Sequence, residues 1–214
     1  MYSFYHARKL LTGLSTLQDD LERLQFRFSS FYQAVFFLKI SCTILFTRCN
    51  NKMSEYVERT FVALKPDTVK RGLTGEIISQ IEDTGMKIMG LKMVQATDQL
   101  LEQHYSEHVD KPFYEGLAEY MKDGPVVAIV VEGVHAVENM RKLIGDTDSK
   151  EAHPATIRGK YSHMSMDHAD DAGRLYRNII HASATKEEAE KEVGIWFEEE
   201  ELHDFTQSHE EEVR

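Results

Sequence analysis

Beyond Arg59 the chain alternates short apolar runs with segments whose apolar residues recur every three or four positions. Residues 60–64 (TFVAL) form an apolar run that stops at Lys65-Pro66-Asp67. Proline has no amide hydrogen for a ladder, so the spacing predicts a strand ending here, with Lys65 at its tip facing a cleft. Leu73, Ile77 and Ile81 fall on one face of a helix over 73–84, which Gly85 stops. Residues 86–96 (MKIMGLKMVQA) alternate as a second strand. Asp98 is the expected N-cap of a helix running to about His108. Pro112 suits a first helical turn and opens a helix carrying Phe113, Leu117, Tyr120 and Met121 as far as Gly124. The unbroken run 126–131 (VVAIVV) predicts a strand covered on both faces. A helix over 134–144 comes next, closed by Gly145, then an irregular stretch over 146–176 with one short helix. Residues 178–183 (NIIHAS) read as a last, buried strand that delivers His181 to its end, and 186–192 as a Glu-rich helix before an acidic tail.

The order of elements is βαββαβ with an elaborated first crossover. It predicts a ferredoxin-like α/β (α+β) domain, a four-stranded antiparallel sheet with helices packed on one face. A net charge of −11 argues against a general nucleic-acid binder, since no basic cluster is available to neutralise a phosphate backbone. The only two cysteines, Cys42 and Cys49, lie in the first quarter of the chain, so the body has no disulfide framework and a reducing cytosol fits.

Residues 1–52 differ in character from the rest of the chain. They hold seven Lys/Arg against three Asp/Glu and no proline, whereas residues 53–214 are strongly acidic. The apolar run 31–46 is shorter than the ~20 residues of a membrane span and is interrupted by Lys39. Some thirty largely polar residues precede it, including Asp19, Asp20 and Glu22, unlike a secretory signal or a transit peptide. Met53-Ser54-Glu55 resembles an ordinary protein start. The expectation is therefore a non-native or non-essential extension over 1–52 and a separate domain over 53–214.

Candidate chemistry centres on His181. Imidazole acts as nucleophile or proton carrier near neutral pH, and Glu192, eleven positions on, sits where the strand-to-helix reversal brings it back toward the ring. There is neither a P-loop nor a GxGxxG. Single cations stand at element ends instead: Lys65, Arg141 and Arg158. Converging guanidinium groups bind phosphate oxygens bidentately and replace a Gly-rich loop. A competing pattern, His104-x-x-Glu107-His108, matches a zinc-peptidase motif with both histidines on one helix face, but no downstream acidic ligand stands out. Two surface histidines explain it better. Taken singly, Phe113 reads as helix core, Arg141 and Glu192 as solvated helix charges, and Thr147 as a loop hydroxyl.

Five motifs together alter that balance. Lys65-Pro66-Asp67, Lys111-Pro112-Phe113-Tyr114, Asp123-Gly124-Pro125-Val126-Val127, Thr156-Ile157-Arg158-Gly159 and Asn178-x-x-His181-Ala182-Ser183 occur in the order found in nucleoside diphosphate kinases. Residues 57–205 resemble that family, and the longer span 160–177 resembles its archaeal members. The resemblance implies ping-pong transfer of a γ-phosphate through phosphohistidine on His181, with Glu192 and Ser183 holding the imidazole. It further implies phosphate contacts from Lys65, Tyr105, Arg141, Thr147 and Arg158, base stacking on Phe113, and sugar contacts from Asn178 and Lys65. Mg²⁺ is implied as the cofactor, carried on the phosphates of ATP and other nucleoside tri- and diphosphates with no protein ligand. A cytoplasmic homo-oligomer, commonly a hexamer and sometimes a tetramer, is implied as well, with no membrane partner. Many relatives read His-Gly-Ser-Asp-Ser where this chain has His181-Ala182-Ser183-Ala184-Thr185, and the missing Asp is expected to weaken the loop after the nucleophile. Two rivals stand beside this reading. A non-enzymatic ferredoxin-like module binding nucleotide or RNA would take no covalent label, and a histidine kinase of other proteins is a weaker rival, left open as a side activity.

Overall fold

The computed structural model describes residues 54–208 and 210. The extension 1–52, with its apolar run 31–46, lies outside the described residues. Strands β1 (Val57–Leu64), β2 (Lys87–Val94), β3 (Val126–Val134) and β4 (Ile180–Ala182) form one sheet in the order β2-β3-β1-β4. Every neighbouring pair is antiparallel. This is the four-stranded ferredoxin-like sheet expected from the element order. β1 starts earlier than its apolar run because Val57, Glu58 and Arg59 already pair with Val134, Gly133 and Glu132.

The helices are α1 (Pro66–Lys70), α2 (Thr74–Glu82), α3 (Asp98–His104), α4 (Tyr114–Lys122), α5 (Ala136–Ile144), α6 (Ile157–Tyr161), α7 (Met166–Asp171) and α8 (Lys186–Trp196). Several differ from expectation for local reasons. Pro66 does end β1, and its fixed φ also starts the short helix α1. Thr97, not Asp98, caps α3, its hydroxyl accepting the Leu100 amide. That helix stops at His104, four residues short of its expected end. Phe113 occupies the N-cap of α4, one residue after the expected opening at Pro112. The irregular stretch holds two short helices, each capped by a hydroxyl, Thr156 for α6 and Ser165 for α7.

Helices cover both faces of the sheet rather than one. Phe61 and Ala63 pack with Leu101 of α3, Met121 of α4 and Trp196 of α8. Val62 and Leu64 pack with Ile77 and Ile81 of α2 and with Met140 and Ile144 of α5. With both faces buried, successive residues of β1 are apolar instead of alternating. Successive side chains of β4 still point to opposite faces. Ile180 and Ala182 join the α2/α5 core, so His181 between them projects toward α3 and α8. Among the described residues no helix is long and apolar enough to cross a membrane.

Candidate active site

The nucleophile candidate is presented by a strained turn. Ile179, two residues before His181, has φ of 61°, a conformation that a β-branched side chain adopts only under constraint. The Ile180 amide donates to the Asn178 carbonyl at 2.7 Å, closing a γ-turn. Two donors anchor the turn to the end of β1: the Lys65 amide and the Thr68 hydroxyl both reach the Ile179 carbonyl, at 2.8 and 2.5 Å. Strain of this kind persists when its surroundings over-determine it. Asn178 and Ile179 consequently stand outside the ladder, and β4 is shorter than the strand predicted over 178–183.

His181 pairs across the ladder with Ala63. Its Nε2 lies 2.8 Å from Glu192 Oε1, and the Ser183 hydroxyl donates to Glu192 Oε2 at 2.6 Å. Glu192 is only 3% exposed because it shares the inward stripe of α8 with Ala189 and Trp196. Burial, and then the charge of Lys65, bring the His181 pKa down to about 3. Burial raises the Glu192 carboxyl from its ordinary value. With Glu192 ionised and His181 neutral, the hydrogen between them belongs to Nε2, which leaves the Nδ1 lone pair unprotonated.

A residue that sequence reasoning places on the surface belongs to this cluster. His104 is buried, its ring centroid 5.0 Å from that of His181, and its Nδ1 accepts the Trp196 indole N–H at 3.2 Å. Burial first, and then His181, lower its pKa to about 3, so it sits there as a neutral ring. Since α3 ends at His104, His104 and His108 do not share a helix face, and His108 instead turns its Nδ1 to Lys111 Nζ. The three-residue spacing of His104 from the buried Leu101 was the available signal. His104, His181 and Glu192 offer three ligand-type atoms within 4.8 Å of one another. Within that group, Trp196 donates to His104 Nδ1 and His181 Nε2 is hydrogen-bonded to Glu192 Oε1.

Three cations bear on the ring. Lys65, Arg158 and Arg141 all act on His181 electrostatically. Lys65 is buried and donates to Asn178 Oδ1 at 2.8 Å. Burial, and then the Arg158 charge, lower its ammonium to about 8. Arg158 donates to the Gly145 carbonyl at 3.0 Å and to the Ile180 carbonyl at 2.7 Å. Its Nε is buried with no hydrogen-bond partner, and burial lowers its pKa to about 10, leaving it charged at neutral pH. Arg141, exposed in the last turn of α5, donates to the Ala182 carbonyl at 3.4 Å.

The remaining predicted residues lie farther out. Tyr105 packs edge-on against His104 and lines with His181 a cavity of about 540 Å³. Phe113 is 48% exposed beside His108 and Lys111, which removes its reading as helix core. Thr147 is exposed, and its carbonyl accepts the amide of Asn178 at 3.3 Å. The loop after the nucleophile, which lacks the family's Asp, is held by other side chains. Glu188 accepts the Ala184 amide at 2.6 Å, and Thr185 caps α8 by accepting the Glu188 amide.

Comparison with known proteins identifies the family. The family model described as nucleoside diphosphate kinase matches residues 58–202. The nucleoside diphosphate kinase of Pyrococcus furiosus is 50% identical over 149 residues, covering 70% of this chain and 88% of that protein. Human nucleoside diphosphate kinase A is 48% identical over 149 residues, covering 70% and 91%. An archaeal and a human relative therefore match almost equally, and overall identity does not assign the chain to the archaeal branch. A solved transition state mimic of the Borrelia burgdorferi nucleoside-diphosphate kinase, with bound vanadate and ADP, superposes with a TM-score of 0.72 at 35% identity. That superposition covers 75% of this chain and 98% of the Borrelia chain. The chain belongs to the nucleoside diphosphate kinase family.

Proposed function

We propose that this protein is a nucleoside diphosphate kinase that uses His181 as its phosphate carrier. The observation that carries the reading is a neutral imidazole held through Nε2 by Glu192, with Lys65, Arg158 and Arg141 acting on the same ring. In the first half-reaction the Nδ1 lone pair attacks the γ-phosphorus of a nucleoside triphosphate. The N–P bond forms as the bond to the β–γ bridging oxygen breaks, and the diphosphate leaves with that electron pair. The ring keeps its Nε2 hydrogen and gains positive charge, which the Glu192 carboxylate offsets. In the second half-reaction a terminal oxygen of another nucleoside diphosphate attacks the same phosphorus, the N–P bond breaks, and neutral His181 returns.

Fixed cations stabilise the charge spread over the equatorial oxygens of the transferring group. Arg158 and Lys65 are held ready for that role by backbone and Asn178 contacts. Mg²⁺ would be held by the phosphate oxygens of the nucleotide rather than by side chains here, and would offset part of their negative charge. Cationic residues suit those oxygens and not the ion, whose usual ligands are carboxylates and water. Phe113 offers its exposed ring to the base, a contact tolerant of base identity. Asn178 and Lys65 serve the sugar hydroxyls, and Tyr105, Arg141 and Thr147 the phosphates.

The test is direct. Protein incubated with ATP labelled at the γ-phosphate and quenched should carry acid-labile, base-stable label, and His181→Ala should carry none. Absence of label on the unaltered protein, or its persistence in His181→Ala, contradicts the proposal. We further propose a cytosolic homohexamer whose working unit is residues 53–214. Size-exclusion mass several-fold above a monomer supports the assembly, and a monomer at micromolar concentration overturns it. A chain begun at Met53 should keep full specific activity.

A further inference from the structure

Residues 160–177 received no role from the family resemblance, yet the structure fastens them to the turn that carries Thr147. Tyr176 is the centre of that attachment. Its hydroxyl donates to the Thr147 carbonyl at 2.8 Å and accepts the Ser149 amide at 2.6 Å. It also lies 2.9 Å from the Ser149 hydroxyl. A phenol has one hydrogen to donate and two lone pairs. Donation to Thr147 uses the hydrogen, so Ser149 supplies both of its own hydrogens, and the Tyr176 oxygen is saturated by a single turn.

The same carbonyl of Thr147 accepts from Asn178 Nδ2, and Asn178 Oδ1 accepts from Lys65. Tyr176 thus grips the turn, and Asn178, two residues on, ties it to Lys65 at the end of β1. The start of α7 adds two more ties: the Met166 amide donates to Asp148 Oδ2 at 3.3 Å, and Asp167 pairs with Lys150. Ser149 is buried under these contacts while Thr147 beside it stays exposed. An exposed hydroxyl on a turn anchored through its backbone is a preorganised phosphate contact, since less freedom is lost when ligand binds.

We propose that Tyr176 is a positioning residue that sets the Thr147 turn for nucleotide binding, acting through its hydroxyl alone. The inference rests on the nucleoside diphosphate kinase reading and deepens it. Tyr176→Phe removes one oxygen and keeps the ring. The loss of one well-placed hydroxyl should raise KM for nucleoside diphosphates about 5- to 10-fold, with a smaller change in kcat. Phosphorylation of His181 by phosphoramidate, a donor with no nucleoside and no diphosphate, should proceed at the unaltered rate. Ser149→Ala removes the opposing hydroxyl and should shift KM in the same direction by less. The two substitutions together should fall short of the product of their separate effects, because they cut one network. If Tyr176→Phe fails to fold, the Ser149→Ala shift alone decides.

Unchanged nucleotide KM in Tyr176→Phe overturns the inference, as does an equal loss with phosphoramidate, which would mark a general structural role. Failure of the unaltered protein to take label from ATP would instead remove the kinase reading, so the two failures are separable.

Discussion

The mount of the nucleophile and the outer residues proposed to hold the nucleotide are built on opposite plans. Around His181, Glu192 is 3% exposed and Ser183 fully buried, and each carboxylate oxygen of Glu192 has its own partner. Among the outer residues, Phe113 is 48% exposed, and Thr147 and Arg141 are exposed too. Chemistry that must repeat identically in both half-reactions is placed where packing fixes the ring in one orientation. The outer contacts proposed for the nucleotide lie on the surface instead, attached to elements whose backbones are held. Preorganisation therefore resides in side chains at the mount and in backbone at the outer contacts.

The largest effect that sharpens this contrast should come from the mount. Glu192→Gln cannot offset the charge gained by the ring, and its amide competes to donate toward Nε2. We expect kcat to fall on the order of a hundredfold, less than for loss of the imidazole itself, with KM little changed. A loss confined to KM, measured by steady-state kinetics with ATP as donor, would break the contrast. At the outer contacts the pattern should invert. Phe113→Ala should raise KM about tenfold, within the range of one base–aromatic stack, and leave kcat nearly intact for purine and pyrimidine acceptors alike.

Smaller but directional is the response of stability to pH. His181 and His104 have pKa values lowered to about 3, against the ordinary imidazole value that the unfolded chain recovers. The unfolded state thus binds more protons across that interval. Their contribution to stability is complete above about pH 6.5 and is lost as pH falls toward the folded values. Thermal midpoints should drop on acidification below about pH 6.5, and the drop should be smaller in His104→Gln. An equal drop in that variant would place the acid sensitivity elsewhere.

Much of this is legible in the sequence, and the exceptions share a cause. The strand and helix order comes from apolar periodicity. Glu192 can be placed near His181 because a short strand and a helix are joined by a tight reversal, but its burial with Ala189 and Trp196 comes from the structure, since taken singly it reads as a solvated charge. His104 is misread when α3 is given one turn too many, which puts His104 and His108 on a common face. Helix coverage of both sheet faces is only half legible: the unbroken run 126–131 marks a strand covered on both faces, but a short apolar strand looks alike whether its second face meets a helix or a loop. Tyr176 is invisible in principle: its role depends on a turn 27 positions away, and no local pattern records that pairing. The γ-turn at Ile179 is equally hidden, because an isoleucine gives no warning of positive φ.

The most direct measurement is the identity of the phosphorylated nitrogen, read by heteronuclear NMR coupling between phosphorus and the His181 ring in the trapped phosphoenzyme. Because Glu192 engages Nε2, phosphorus should be found on Nδ1. Phosphorus on Nε2 would mean that the Glu192 contact is not present in the working enzyme, and the arrangement described for His181 would be contradicted.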